Sequence, residues 1–132
     1  MTQKPKVNEM TDRELLELAA KAAAIKYDPE ASKPHPKSGA FFGLWLVYHR
    51  EPTANDRRYW NPLTNDGDAL RLAVKLLIAI DPCDPWCDGA SATIVLNGDS
   101  VDIREPQDGD DLVAATRRAI VRAAAEIGKG ME

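Results

Sequence analysis

The stretch Tyr59–Leu77, YWNPLTNDGDALRLAVKLL, carries the densest structural information in the chain. It contains an aromatic pair, a turn, a helix cap and an amphipathic helix in that order. Because a proline disfavours the helical conformation of the residue before it, Pro62 predicts that Trp60 and Asn61 are extended and that the helix begins later. We expect the rest of the fold to be organised around this stretch.

The helix within this stretch is predicted over residues 66–77. Its N-cap can be any of three adjacent residues with short oxygen-bearing side chains, Thr64, Asn65 or Asp66. Asp66 and Asp68 then lie in the first turn, where the helix dipole favours negative charge. Apolar residues follow at helical spacing and form a broad stripe, which predicts a mostly buried helix: Leu70, Ala73, Val74 and Leu77, widened by Ala69, Leu72 and Leu76.

A first helix is predicted over residues 12–25. Thr11 and Glu14 have the spacing of a capping box, with Thr11 at the N-cap, and Met10 is placed to pack against Leu15. The exposed pair Glu17 and Lys21 has the favoured orientation for an ion pair one turn apart. The buried stripe of this helix is predicted to comprise Leu15, Leu18, Ala19, Ala22 and Ile25.

A last helix is predicted over residues 110–127. Asp108 or Asp110 lies near its N-cap, and Gly128 is suited to a left-handed residue that ends it. Its apolar residues again repeat at helical spacing and predict a buried stripe: Leu112, Ala115, Thr116, Ala119, Ile120, Ala123 and Ile127.

The segment Phe41–Arg50, FFGLWLVYHR, is rich in aromatic and branched residues and predicts a strand. Alternation places Phe42, Leu44, Leu46 and Tyr48 on one face, and Phe41, Trp45, Val47 and His49 on the other. Since both faces are apolar, we expect the strand to be buried on both sides or to form half of a subunit contact.

A hairpin is predicted near the end of the chain. Ala92–Leu96 and Ser100–Arg104 read as short strands around Asn97-Gly98-Asp99, and Asn-Gly between such strands is a strong hairpin signal. Residues 78–80 also resemble a strand, although no glycine separates them from the preceding helix. The segment between residues 27 and 40 is predicted to be a loop because of its prolines and glycine.

Length and composition predict one soluble domain. The chain has 132 residues, 44% of them apolar and 29% charged, with a net charge of −4. We expect a flexible tail over residues 1–10 and one α/β (α+β) domain over 11–130, with a small, mainly antiparallel sheet sandwiched between helices (αβα sandwich). The acidic balance disfavours nucleic acid as a partner. No stretch reads as a leader or membrane span, which predicts a cytoplasmic protein.

The residues that most often carry metal or catalytic chemistry are sparse. Cys83 and Cys87 supply two of the four ligands that zinc requires, and the aspartates around them are better read as solvated loop residues, so no metal site and no cofactor are predicted. His35 and His49 have no recognisable nucleophile or orienting partner. We therefore predict no catalytic residues and a protein that is not an enzyme.

Two sets of residues are candidates for binding. Arginine beside aromatic residues can contact phosphate and stack on a base, so a speculative ligand site comprises Arg57, Arg58, Tyr59, Trp60 and Asn61. The alternative, which we favour, is a loop whose aromatic residues enter the core. Trp86, in a polar loop, is the candidate anchor for a protein partner. The arginines of the last helix are read as a solvated face in preference to a phosphate-binding one: Arg117, Arg118 and Arg122.

Three blocks of the chain resemble a family of small phage and prophage proteins, the phage ABA-sandwich domain: MTDRELLELAA (10–20), WNPLTNDGDALRLAVKL (60–76) and AATRRAIVRAAAEIG (114–128). They cover about a third of the chain and occur in the family's order. The resemblance implies a sheet between helix layers and an origin in a tailed phage or prophage. It implies no established activity and carries over no site residues.

The leading expectation for function is a phage or prophage accessory protein that acts by binding, as a homo-oligomer, with a host protein as a further partner. The two apolar faces of the strand at Phe41–Tyr48 motivate the oligomer. The alternative is a protein that sequesters a small nucleotide signal of host defence, motivated by the arginines and aromatics beside a helix start.

Overall fold

The described part of the chain in the computed structural model is residues 10–34, 36–47, 59–82, 89–106 and 111–131. These residues form three helices and six strands, so the predicted α+β class is confirmed. In chain order the elements are α1 (Asp12–Ala23), β1 (Tyr27–Asp28), β2 (Leu44–Leu46), β3 (Tyr59–Trp60), α2 (Asp66–Leu76), β4 (Ala79–Asp81), β5 (Gly89–Leu96), β6 (Asp99–Pro106) and α3 (Leu112–Lys129).

The strands pair in antiparallel fashion throughout, as predicted, but the described strands form two sheets where the sequence predicted one. The strand orders are β1-β2-β3 and β4-β5-β6. Helix α3 packs on β4, β5 and β6, whereas α1 packs on α3 and contacts β2. The two helices contact one another, but α3 packs on the β4-β5-β6 sheet and α1 contacts the β1-β2-β3 sheet.

The predicted hairpin is confirmed and is longer at both outer ends than the alternating pattern indicated. Leu96 pairs with Asp99, and the two residues between them have positive φ, 53° at Asn97 and 87° at Gly98. This is the geometry of a two-residue turn with both central residues left-handed, for which Asn-Gly is favoured. The inner face of β5 buries Ala92 and Ile94 against the core.

Strand β2 is shorter than the predicted strand over 41–50, of which residues 48–50 lie outside the described part. Gly43 has φ of 122°, and a Cβ there would lie 2.6 Å from the carbonyl oxygen of Trp60. Regular pairing therefore begins only at Leu44, where the chain has passed this close approach. On the other side, β1 pairs with β2 inside a segment that was predicted to be entirely loop.

The three helices begin at capping residues. The Thr11 capping box is confirmed, since its hydroxyl accepts from the amide of Glu14 and the Glu14 carboxylate accepts from the amide of Thr11. Among the three candidates for α2, Asn65 is the N-cap and accepts from the amide of Asp68 at 2.8 Å. Helix α3 begins slightly later than predicted, with Asp111 as its N-cap.

Helices α1 and α2 both end at a left-handed residue that is not glycine. Ala24 has φ of 56° and Leu77 has φ of 55°. In each case the next residue donates to the carbonyl five residues back, as Ile25 does to Ala20 at 2.8 Å. This is the hydrogen bond of a Schellman motif. The first helix therefore ends two residues before the predicted boundary, because the usual glycine signal is missing.

Helix α3 is the element on which the others pack, a position that the sequence assigned to 59–77. It contacts α1, α2 and three strands, and eight of its residues are buried. Gly128 does not end the helix as predicted. It lies inside α3, where a Cβ would lie 2.0 Å from the carbonyl oxygen of Leu18 on α1, and the helix ends at Gly130.

The buried face of α1 also differs from the prediction. Leu15 and Ala19 are buried as expected, whereas Leu18, Ala22 and Ile25 are only partly buried. Leu16, Ala20 and Ala23 are buried in their place. A helix that packs on α3 and also contacts β2 buries a face set by the positions of both neighbours, which its own periodicity does not specify.

Candidate functional site

The predicted ligand cluster does not form an open site in its described residues. Trp60 is only 6% exposed and belongs to the hydrophobic core. Asn61 is also buried. Tyr59 is partly buried, and Arg57 and Arg58 lie outside the described residues. The burial of Trp60 follows the alternative that we favoured from the sequence, in which the aromatic residues of this segment enter the core.

The polar groups of Asn61 are used to build the turn that precedes α2. Its side-chain oxygen accepts from the amide of Leu63 at 3.1 Å, and its amide group donates to the carbonyl of Phe42. Its backbone amide donates to the buried carboxylate of Asp68 at 3.0 Å, and Asp68 also accepts from Arg71 at 2.7 Å. Asn61 and Asp68 therefore hold the turn and the first helical turn together.

Three aromatic side chains and a valine form a partly exposed surface at β2 and β3. We call it the aromatic face: Phe42, Trp45, Val47 and Tyr59. The rings of Trp45 and Tyr59 meet edge to face at a centroid distance of 4.8 Å, and Phe42 lies 5.9 Å from Tyr59. Phe42 is 62% exposed, whereas Leu44 is fully buried. Within β2, Leu44 is buried whereas Trp45 and Leu46 are only partly buried, so the strand is not buried on both sides in the single chain. The other alternative, half of a subunit contact, stays a prediction.

The three arginines of α3 connect that helix to its neighbours. Arg117 donates to Asp66 at 2.7 Å and to the carbonyl of Leu63 at 2.8 Å. Arg118 pairs with Asp12 at 3.0 Å. Arg122 pairs with Glu105, which Arg118 also reaches. Because each guanidinium already has a carboxylate partner, this row does not form an unpaired basic patch for phosphate.

Several sequence candidates lie outside the described residues: His35, His49, Cys83, Trp86 and Cys87. Within the described ranges, no three potential metal ligands of the His, Cys, Asp or Glu type come together. Asp81 is exposed on β4. For these five residues, the absence of a metal site and of catalytic chemistry stays a prediction from the sequence.

The largest departure from the sequence analysis concerns α2. Its stripe at Leu70, Val74 and Leu77 was predicted to be buried, yet these residues are 60%, 65% and 86% exposed. Spacing of four and three residues places the three side chains on one side of the helix. Two more exposed aliphatic residues adjoin them, and we call the whole set the α2 face: Leu70, Val74, Leu77, Ile80 and Val113.

The α2 face is large for a single chain. Its five side chains, between 37% and 86% exposed, leave on the order of 500 Å² of mainly apolar surface in water. Monomeric proteins rarely expose contiguous apolar patches much larger than a few hundred Å², and those that do usually bind something there. The α2 face is therefore the best candidate for a functional site among the described residues.

A groove lies along one side of this face. It has a volume of about 280 Å³ and lies where Leu70 of α2, Ile80 of β4 and Val113 of α3 approach one another. Ala69 and Ile120 also line it. The inner side of β4 is open here because α3 covers mainly β5 and β6. The groove is thus a gap in the helix layer that covers this sheet.

Leu77 combines exposure with backbone strain. It is the αL residue that ends α2, with φ of 55°, and its side chain is 86% exposed. A non-glycine residue in this conformation costs about 1 kcal/mol, which burial of the leucine does not offset here. Glycine would serve the helix end better, so the leucine side chain has no evident role in stabilising the single chain.

The sequence contains a partial signal of the α2 face, since it indicates that one stripe of α2 is exposed without showing which one. The apolar residues of α2 form two stripes on different sides of the helix, one at Leu70, Val74 and Leu77 and the other at Ala69, Leu72, Ala73 and Leu76. A helix on the surface of a small domain can turn only one stripe inward. Tertiary structure buries Ala69, Leu72 and Ala73 of the second stripe, together with Asp68, and leaves Leu76 partly buried. The three residues of the first stripe remain in water.

Comparison with known proteins adds no family or function, since no family model, curated protein or solved structure matches this chain. The resemblance to the phage ABA-sandwich domain stays a prediction from the three sequence blocks. Among the described residues, no helix combines the length and the apolarity that crossing a membrane requires.

Proposed function

We propose that this chain is a non-enzymatic accessory protein that acts by binding another protein through the α2 face. The observation that carries the proposal is the exposure of five aliphatic side chains from α2, β4 and α3, three of which, Leu70, Ile80 and Val113, line one groove. The resemblance of its three sequence blocks supports an origin in a tailed phage or prophage. The proposal further places the protein in the cytoplasm of the bacterial host, with a host protein as its partner.

The chemistry of the groove favours apolar side chains over the small nucleotide of the alternative hypothesis. Its polar lining residues are Asp66, Thr116 and Arg117, and Arg117 is already paired with Asp66. The Asp66 carboxylate would repel a phosphate, and the remaining lining is aliphatic. A thermal-shift screen with mononucleotides and cyclic dinucleotides should therefore give no stabilisation, whereas a clear rise in melting temperature would favour the sequestering function.

Self-association is the second part of the proposal, and it concerns the aromatic face. Phe42, Trp45, Val47 and Tyr59 would be covered by a second copy, which would complete the burial that the sequence pattern of β2 suggests. Light scattering should then return a mass above that of one 14.5 kDa chain. A strict monomer at high micromolar concentration would remove the oligomer from the proposal and leave the α2 face untouched.

The docking role of the α2 face is tested with two matched variants. Val74 on the α2 face is 65% exposed, and Val95 on the outer side of β5 is 69% exposed. Val74→Asp and Val95→Asp therefore make the same chemical change at equally accessible positions. Each variant and the wild type serve as bait in a bacterial lysate, with bound proteins quantified by mass spectrometry. A protein that Val95→Asp retains and Val74→Asp loses supports the proposal, and equal recovery on all baits contradicts it.

A further inference from the structure

The charges beside the α2 face indicate what kind of protein segment fits it. Along α2, the stripe of Leu70, Val74 and Leu77 has Arg71 and Lys75 on one flank, since these residues follow the stripe by one position in each turn. Both are exposed. Arg71 pairs with the buried Asp68 and still has 72% of its side chain in water. The flank of the apolar stripe is therefore positive by one charge, that of Lys75, because Asp68 balances Arg71.

The opposite flank of the stripe is the groove, which has no free charge of either sign among its described lining residues. Asp66 and Arg117 are paired with one another at 2.7 Å, and the rest of the lining is aliphatic apart from Thr116. A segment on this face thus meets an apolar groove on one side, and on the other side Lys75 and the Arg71 guanidinium that is paired with Asp68. This asymmetry sets the orientation of whatever binds.

We infer that the α2 face, whose role rests on the function proposed above, accepts an amphipathic helix with acidic residues along one flank. The stripe at residues 70, 74 and 77 has the four-three spacing with which one helix meets another. A helix laid beside it would insert aliphatic side chains into the groove and close the gap over β4. Its acidic flank would face Arg71 and Lys75, where opposite charges accelerate association and fix the orientation.

A second copy of this chain fits the face poorly. In a contact with twofold symmetry, the same surface patch lies on both partners. Two α2 helices crossing antiparallel about Val74 would place Arg71 and Lys75 of one copy beside the same residues of the other. Like charges at that distance destabilise the contact. This antiparallel contact is therefore disfavoured, and a segment of another protein, with its own sequence of charges, is the better occupant.

The experiment uses two synthetic peptides of about 18 residues, long enough for five helical turns. Both carry leucine at the a and d positions of heptads, and their exposed flank carries glutamate in one and lysine in the other. Binding of each fluorescent peptide to the full chain is measured by anisotropy at low ionic strength. We expect the glutamate peptide to bind at least about tenfold more tightly, and the preference to shrink as salt is added.

Variants assign the binding to the face and to the charge. Val74→Asp should weaken binding of the glutamate peptide by more than about tenfold, since it puts a charge at the centre of the contact, and Val95→Asp should leave it unchanged. Lys75→Glu should reduce or invert the preference for the glutamate peptide. Arg71 is left intact because Asp68 depends on it. Circular dichroism shows that each variant is folded before binding is compared.

The possible outcomes separate this inference from the proposed function. If both peptides bind equally and Val74→Asp abolishes both, the face is a docking surface and the acidic helix is the wrong occupant. If light scattering shows a dimer that Val74→Asp dissociates, the occupant is a second copy, which also overturns the inference. If neither peptide binds, the inference fails, and the lysate comparison then decides alone whether the α2 face docks any protein.

Discussion

Gly128 offers the most direct test of how the two longest helices pack. A Cβ at this position would lie 2.0 Å from the carbonyl oxygen of Leu18, 2.8 Å from its carbonyl carbon and 3.2 Å from its Cα. An ordinary carbon–oxygen contact is about 3.3–3.6 Å. Gly128→Ala therefore forces α1 and α3 apart by more than 1 Å at this point. No side-chain rotation can relieve the clash, because the obstructing atoms belong to the backbone.

The magnitude follows from two opposing effects. Replacing glycine by alanine inside a helix normally stabilises it by about 1 kcal/mol. Overpacking in a closely packed region costs about 1–3 kcal/mol, and a clash with backbone lies at or above the upper end of that range. We expect a net loss of about 2 kcal/mol in the free energy of unfolding. For a chain of this length the melting temperature falls by about 6–10 °C.

The assay is urea unfolding followed by circular dichroism, with Gly130→Ala as the matched control. Gly130 has φ of −79°, and the nearest atom to an added Cβ would be 3.6 Å away, so its replacement should change stability by less than about 0.5 kcal/mol. A Gly128→Ala protein as stable as the wild type would refute the close approach of α1 and α3. Gly128→Asn adds a second check, because asparagine would be tolerated better than alanine only at a left-handed residue.

Three further predictions concern single side chains. Leu77→Gly should raise the free energy of unfolding by about 0.5–1 kcal/mol in urea titrations, since it relieves the αL strain of an exposed leucine, and it should weaken peptide binding. Asp68→Ala should lower the same free energy by about 1–3 kcal/mol, because the buried amide of Asn61 loses its acceptor, whereas Asp66→Ala, at an exposed carboxylate, should cost less than about 1 kcal/mol. Burial raises the pKa of Tyr27 above its ordinary value of about 10. The Glu17 carboxylate, which accepts a hydrogen bond from the Tyr27 hydroxyl at 3.2 Å, raises this pKa further. The stability from this hydrogen bond is present below pH about 10 and is lost as pH rises through the raised pKa, so Tyr27→Phe should show a shallower loss of stability in alkaline urea titrations.

Each of these predictions has a result that would count against it. A Leu77→Gly protein that is less stable than the wild type would mean that the leucine side chain packs within its own chain. Equal costs for Asp66→Ala and Asp68→Ala would show that the hydrogen bond to Asn61 contributes nothing beyond helix-dipole electrostatics. If wild type and Tyr27→Phe lose stability in parallel above pH 10, Tyr27 titrates alike in the folded and unfolded chain.

Local chemistry explains which parts of the fold were predictable. The capping box at Thr11 and the Asn97-Gly98 turn depend on a few consecutive residues whose side chains bond their own backbone, so the sequence specified both. The ends of α1 and α2 were missed because Ala24 and Leu77 adopt a conformation that is usually marked by glycine. Gly128 shows the reverse error, since its glycine serves close helix packing and no turn.

The candidate site was predictable to a smaller extent. The aromatic segment at Trp60 and the turn at Asn61 were recognised as important, but their side chains support the core and the start of α2. Periodicity identified the apolar residues of α2 without showing which of two stripes meets α3. The exposed stripe became visible only when the positions of α3 and β4 were known.

The sequence by itself determined the α+β class, the number of long helices, the hairpin and most helix starts, because each depends on contacts between near neighbours in the chain. The tertiary structure decided the separation into two sheets, the central position of α3 and the exposure of Leu70, Val74 and Leu77. These features depend on which surfaces meet across long sequence separations. The free energy of burying apolar surface is proportional to its area and has no direction. A pattern of apolar residues therefore indicates how much surface is buried, but it does not indicate which element of the fold covers that surface.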